Sequence, residues 1–203
     1  MSKTILLTGF EPFGGSEVNP SISACMELAE ESFNGYKVKV EEIPLHYKEI
    51  KSEIEGLIEL HDPAAVISTG QSSRPVISLE RVAINIASAR IEYNCGEKPI
   101  DEELVEDGPV AYFTGLPFRS ILETLKQAKI PAEISNTAGT FGCNQIFYHL
   151  MDYIDREKLS TPAGFIHVPP LPEQVIEKNK PSMSLDTIAR ALRVVTDTIA
   201  LDL

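Results

Sequence analysis

The chain has 203 residues, 43% hydrophobic and 24% charged, with a formal net charge of −12. That length suits one well-buried domain spanning residues 1–203, and no compositional break divides it. The acidic balance argues against a nucleic-acid or anionic-membrane surface, either of which needs a basic face, and no run approaches the roughly 20 apolar residues of a membrane span.

The first apolar run, in MSKTILLTGF, ends at Gly9 and is too short and too poorly flanked for a signal peptide. Its TILLT portion, residues 4–8, reads as a short strand buried on both faces. The loop GFEPFGGSEV follows, and then Asn19-Pro20, a helix cap with proline at the first helical position, leads a stripe of Ile22, Cys25, Met26 and Ala29. YKVKVEEI alternates as a strand, and residues 47–60 form a helix with Ile50, Ile54, Leu57 and Ile58 inward. AAVIST is a further buried strand, ending in the loop GQSSRP, and ISLERVAINIASARI reads as one extended strand. A loop-rich stretch and a short strand at VAYFT precede a helix opened by Pro117, with Phe118, Ile121, Leu122 and Leu125 on one face. PAEISNT is a strand, and the helix after it carries Cys143 in its first turn. AGFIHVPPLPEQ is a strand running into a proline-rich loop, and the last helix starts near Ser184 with Leu185, Ile188, Ala189, Leu192, Val195 and Ile199 inward.

Strand and helix alternate throughout, which predicts a three-layer α/β/α sandwich with a mostly parallel central sheet. In such sheets ligands bind beyond the carboxyl ends of the strands. The loops GFEPFGG and GQSSRP, the turn before Cys143 and the segment around His167 are therefore expected to meet there.

Three cysteines, Cys25, Cys95 and Cys143, are an odd number without C-x-x-C spacing. They point away from a disulfide framework or thiolate metal site and toward a reducing cytoplasm. The four histidines, His46, His61, His149 and His167, lack metalloprotease spacing.

Thr140 as N-cap would put Cys143 near the third helical position, where free backbone N–H groups and the positive end of the helix favour a thiolate nucleophile. The bland alternative is a buried cysteine extending the stripe of Ile146, Phe147, Leu150, Met151 and Ile154. A cysteine hydrolase also needs a base within reach of the sulfur and a group that orients that base. His149, six residues on, is about 240° round the helix and roughly 9 Å along it, so it is expected at the surface. His167, at the end of GFIHV, is the natural partner. Glu80 would ordinarily face solvent; turned inward it needs a partner, and protonated His167 would serve. Arg74, Arg81 and Arg90 are expected as solvated surface. The loop GFEPFGG lacks the GxGxxG spacing of a phosphate cradle, and its phenylalanines suit a flat, uncharged ring better.

Four separated motifs, GFEPFGGSEVNPS, GQSSRPVISLERVAINIASARI, SNTAGTFGCNQ and GFIHVPPLPEQ, together resemble the type I pyroglutamyl peptidases nearly end to end. The resemblance implies a cysteine peptidase that removes N-terminal pyroglutamate from peptides, with no metal or other cofactor and commonly a homotetramer. It implies Cys143 as nucleophile, His167 as general base and then acid, and Glu80 as the residue orienting His167. Phe10, Phe13 and Phe141 match aromatics that pack on the lactam ring, Gln71 a position that contacts it, Arg90 an arginine beside the nucleophile, and Asn19 a polar residue supporting that arginine. The chain has GQSSRP where members usually have GQAGGR, so Ser72 and Ser73 are expected to reach the required backbone angles only with strain. A glutaminase-type amidohydrolase is the rival enzyme, but its acid commonly lies two residues after the histidine, where this chain has Pro169. A non-catalytic binding protein on the same fold is the rival of another class.

Overall fold

The computed structural model describes residues 3–203. Among these residues nine strands and five α-helices follow one another as β1 (Thr4–Phe10), α1 (Pro20–Met26), β2 (Ser32–Phe33), β3 (Tyr36–Ile43), α2 (Ile50–His61), β4 (Ala65–Gln71), β5 (Ile77–Glu80), β6 (Val82–Ile84), β7 (Ala111–Phe113), α3 (Phe118–Gln127), β8 (Ala132–Ser135), α4 (Gly142–Arg156), β9 (Ala163–Val168) and α5 (Leu185–Ala200), with a 3₁₀ turn at Pro172–Gln174. Seven strands form one sheet in the order β2-β3-β1-β4-β9-β5-β8, and β6 and β7 pair separately. The centre, β3-β1-β4-β9, is parallel. β5 runs antiparallel to β9 and carries β8 parallel to itself.

Helices cover both faces, giving the expected α/β/α sandwich. Strand alternation divides the core. Ile5 and Leu7 of β1, Ile67 of β4 and Ile166 of β9 pack with α1, α3 and α5, as Cys25, Ile121 and Leu192 show. Leu6, Val66 and Phe165 pack on the other face with Ile54 of α2 and Phe147 and Leu150 of α4. Both faces being covered explains why TILLT is apolar without a break.

Asn19 caps α1 as expected, accepting from the Ser21 N–H at 3.1 Å. The helix stops at Met26, so Met26 and Ala29 are exposed and the buried set is Ile22, Ala24, Cys25 and Leu28. The run from residue 77 to 91 is not one strand. β5 belongs to the main sheet and β6 pairs with β7 instead, the chain turning away at Arg81. Because both faces of β5 are covered, all four of its residues are buried, polar Ser78 and Glu80 included. Helix α4 is buried almost all round, from Gly142 to Ile154 with Cys143 the least enclosed. That overturns the surface placement of His149, which is only 3% exposed. No helix among the described residues is long and apolar enough to cross a membrane.

Candidate active site

The parallel strands end at a cavity of about 890 Å³ lined by segments 13–16, 71–74, 137–143 and 167–180, together with Ser88, Arg90 and Ile91. The four loops expected at the strand ends do converge. Cys143 and His167 are both on its wall.

Cys143 sits at the second helical position of α4, not the third. The N-cap is Phe141 in an extended conformation, without a side-chain cap bond. Thr140 is engaged elsewhere: its hydroxyl donates to the Ser88 carbonyl at 2.8 Å, while the Ser88 N–H donates to the Thr140 carbonyl at 2.8 Å. The first intrahelical bond is Gln145 N–H to Phe141 O at 3.0 Å, so the N–H groups of Gly142, Cys143 and Asn144 precede the ladder. The next two side chains fix the helix start. Asn144 accepts from the Ile84 N–H (3.0 Å) and donates to the Ile84 and Ile86 carbonyls (2.8 and 3.0 Å). Gln145 donates to the Tyr47 carbonyl at 2.6 Å and accepts from the Tyr93 hydroxyl at 3.0 Å. The CNQ sequence thus combines one free thiol with two buried, satisfied amides. Sequence reasoning passed over Asn144 and Gln145, whose signal was polar side chains directly beside an apolar stripe.

His167 shares its face of β9 with Phe165, the face toward α4, and on β4 its register partner is Gly70. A Cβ added at Gly70 would lie 2.7 Å from the Cys143 sulfur and 2.8 Å from the Phe165 ring. Only a residue without a side chain lets the sulfur settle over the strand there. Glu80 lies on the same face of β5, one diagonal from His167, and accepts the His167 Nδ1–H at 2.7 Å. Burial opposes a charge on His167, but the Cys143 sulfur and the Glu80 carboxylate outweigh it and raise its pKa to about 9. The carboxylate that orients the histidine therefore comes from another strand, not from two residues downstream.

Of the arginines expected as solvated surface, Arg74 is not. It donates to the same Glu80 oxygen at 2.7 Å and to the Thr137 carbonyl at 2.8 Å, pinning the 71–74 loop to the turn before Cys143. Ser72 accepts from the Arg74 N–H at 3.3 Å. Neither Ser72 nor Ser73 has a positive φ, so the loop carries no left-handed strain there. Arg81 is not fully solvated either: it is half-buried, its Nε is enclosed without a partner, and its guanidinium lies over the Phe118 ring at 5.6 Å. Arg90 is exposed on the cavity rim.

The aromatic residues divide. Phe13 and Phe141 line the cavity with ring centroids 6.4 Å apart, and Tyr93 backs Phe141 at 4.4 Å. Phe10, 2% exposed, is not on the wall. As the last residue of β1 it keeps the parity of Leu6 and packs into the α2–α4 core beneath Gly142. Gln71 is on the wall, its side-chain oxygen accepting from Gln174 at 3.3 Å. Asn19 is buried and makes no hydrogen bond to Arg90 among the described residues; besides capping α1 it donates to the Glu11 carbonyl at 3.0 Å, which holds the loop carrying Phe13.

The other thiols are elsewhere. Cys25 is fully buried and burial pushes its pKa up to about 12, while Cys95 is exposed beside Glu97. Among the described residues no group of three or more His, Cys, Asp or Glu side chains is arranged to hold a metal ion.

A thiol at a helix start, an imidazole beside it and a buried carboxylate behind that, at the strand ends of an α/β/α sandwich, have the make-up of a cysteine-type hydrolase. The family model described as pyroglutamyl peptidase matches residues 3–202. The chain belongs to that family. It is 46% identical over 202 residues to the pyrrolidone-carboxylate peptidase of Bacillus licheniformis, covering 99% of this chain and 94% of that protein. The crystal structure of pyroglutamyl peptidase I from Bacillus amyloliquefaciens superposes with a TM-score of 0.96 at 44% identity, covering 99% of this chain and 96% of that one. A mutant pyrrolidone carboxyl peptidase from the hyperthermophile Pyrococcus furiosus gives a TM-score of 0.95 at 35% identity, covering 98% and 99%.

Proposed function

We infer that this chain is a pyroglutamyl peptidase, a cysteine-type hydrolase that removes pyroglutamate from the N-termini of peptides. The observation that carries the reading is the juxtaposition of Cys143 and His167 on the wall of a cavity bounded by Phe13 and Phe141, with Glu80 buried behind His167. Pyroglutamate has no free amine, so its pocket needs apolar walls and a few amide partners rather than a carboxylate for an ammonium group. Phe13 and Phe141 supply the walls, and Gln71 the amide.

In this mechanism His167 enters protonated, consistent with its raised pKa of about 9, and Cys143 attacks as the thiolate. A C–S bond forms to the pyroglutamyl carbonyl carbon and the carbonyl π pair moves to oxygen. The N–H groups at the start of α4 receive that oxyanion, with Arg90 nearby on the rim. The C–N bond breaks as His167 gives its proton, through the nitrogen not bound to Glu80, to the leaving amine. The neutral imidazole then takes a proton from water, whose oxygen attacks the thioester. The C–S bond breaks, returning the Cys143 thiolate and releasing free pyroglutamate. Glu80 holds the ring orientation and offsets its charge throughout; Arg74 holds Glu80.

Residues 1–203 act in this reading as one domain in a reducing cytoplasm, the setting that three unpaired thiols suit. Assembly as a homotetramer is supported by apolar surface on the β6–β7 side, where Val110 and Phe113 are 86% and 69% exposed; light scattering after size exclusion tests it.

The deciding assay is hydrolysis of a pyroglutamyl-arylamide beside prolyl- and glutaminyl-arylamides, in wild type and in Cys143→Ser. Turnover of the pyroglutamyl compound alone, falling by about 10⁴-fold or more in the variant, is the expected result. Comparable activity in a folded Cys143→Ser protein overturns the mechanism, and hydrolysis of glutaminyl-arylamide in preference overturns the substrate.

A further inference from the structure

The cavity has a charge opposite to that of the chain. Arg74, Arg90, Lys178 and Lys180 line it and no acidic residue does, although Asp and Glu outnumber Lys and Arg by 30 to 18 overall. Arg74 is committed to Glu80 and the Thr137 carbonyl. Arg90, Lys178 and Lys180 have no carboxylate within ion-pair distance among the described residues. In so acidic a protein, three free cations facing one opening form a local field that attracts anions. The size of the cavity adds to this. Its volume of about 890 Å³ is near the upper end for small-molecule sites, about 300–1,000 Å³. One five-membered lactam fills only part of that space, and the remainder receives the part of the peptide that leaves.

We propose that this remainder is a subsite for a carboxylate on the leaving side of the scissile bond, formed by Arg90, Lys178 and Lys180, so that short or acidic pyroglutamyl peptides are the preferred substrates. The proposal rests on the peptidase reading above. The carboxylate has two possible sources: the C-terminus of a pyroglutamyl dipeptide, or an Asp or Glu side chain after pyroglutamate. Lys178 and Lys180 lie on the loop that follows the 3₁₀ turn at Pro172–Gln174, and Arg90 approaches from the 84–93 segment.

The test compares kcat/KM for pyroglutamyl-alanine with its amide, and for pyroglutamyl-glutamate amide with pyroglutamyl-glutamine amide, at 20 and 500 mM salt. The first pair reads a terminal carboxylate and the second a side chain. At solvent-exposed positions each cation contributes about twofold to fivefold, so the favoured anion leads by about tenfold at low salt. That lead shrinks at 500 mM, where the screening length is about 4 Å. In the Lys178→Gln/Lys180→Gln variant most of the preference disappears through KM, while kcat and KM for the neutral amides stay as in wild type. Equal kcat/KM for the charged and neutral members of both pairs overturns the proposal, as does a preference that survives both salt and the double substitution. In those two outcomes the neutral amides are still cleaved and the peptidase reading stands. Failure to cleave any of the four compounds, by a protein whose Cys143 is intact, removes the peptidase reading and this proposal with it.

Discussion

His149 and His167 are both buried and both lie on the side of the sheet that α2 and α4 cover, yet their surroundings drive them in opposite directions. His149 sits in the middle of α4 with Nδ1 unpartnered. Burial, with a smaller push from Lys51, lowers its pKa to about 4. His167 is opposed by burial in the same sense, but the Cys143 sulfur and the Glu80 carboxylate carry it up to about 9. Burial alone makes a histidine an inert, neutral packing group. Burial beside the Cys143 sulfur and the Glu80 carboxylate makes it a held proton at the place where a leaving amine would need one. The difference lies in neighbours drawn from two other elements, β5 and the start of α4, and not in the histidine's own segment.

The sharpest way to break the comparison is to remove the orienting anion. Glu80→Gln keeps the shape of the side chain and deletes its charge, so His167 loses one source of its raised pKa and can adopt the wrong tautomer. By the effect of neutralising the equivalent acid in a hydrolase triad, kcat should fall by about 10²–10⁴-fold, and the imidazole resonance should titrate at lower pH than in wild type. An unchanged titration with unchanged kcat would show that Glu80 does not hold the ring.

His149 gives the converse test, on stability. Its folded-state pKa is depressed, so its contribution is fully present above the unfolded value near 6.5 and is lost as pH falls toward 4. Wild type should lose about 2 kcal/mol between pH 7 and pH 5 from this residue alone. His149→Leu should remove that part of the acid sensitivity, as read by urea unfolding at the two pH values. His167 has the opposite sign: its contribution is present below 6.5 and lost as pH rises through about 9. Of the two histidines, His149 is therefore the one that weakens the fold on the acid side, and an identical slope in His149→Leu would refute that assignment.

How far the sequence could be read follows the same division. The alternation of strands and helices was enough for the sandwich, because apolar runs such as TILLT and AAVIST carry the signature of strands covered on both faces. The meeting of Glu80 and His167 was legible conditionally, since an acid turned into the core needs a cation. The break between β5 and β6 shows in the sequence only as a one-residue change of phase, from Ile77 and Leu79 to Val82 and Ile84, where the chain changes sheets at Arg81. The surface expectation for His149 fails because helical periodicity relates residues to one another and does not say how much of the circumference is covered; α4 is enclosed by α2, the main sheet and the β6–β7 pair. Phe10 departs from its expected place for a related reason: it is the end of β1 and not part of the loop, so its direction is set by strand parity.

Arg74 is the remaining difference between the two histidine environments and gives the smallest effect. It is the only cation among the described residues paired with Glu80 besides His167, and both bonds use the same carboxylate oxygen. The arginine thus shares the anion with the histidine while anchoring the 71–74 loop to Thr137. Arg74→Met keeps most of the side-chain volume and removes the charge. Two consequences pull on the site in opposite directions. Glu80 loses a competing donor and can bind His167 more fully, raising its pKa further; the loop loses its tie to the turn before Cys143, which loosens the wall carrying Gln71. A bond from a partly exposed arginine to a buried carboxylate contributes about 2 kcal/mol, so a loss of that order is expected in unfolding. If the electrostatic effect dominates, the alkaline limb of kcat/KM moves to higher pH with little change in KM for the arylamide. If the loop dominates, KM rises several-fold and the limb stays where it was. Neither change, in a variant of full stability, would show that Arg74 is a bystander and that Cys143 and Glu80 alone set the state of His167.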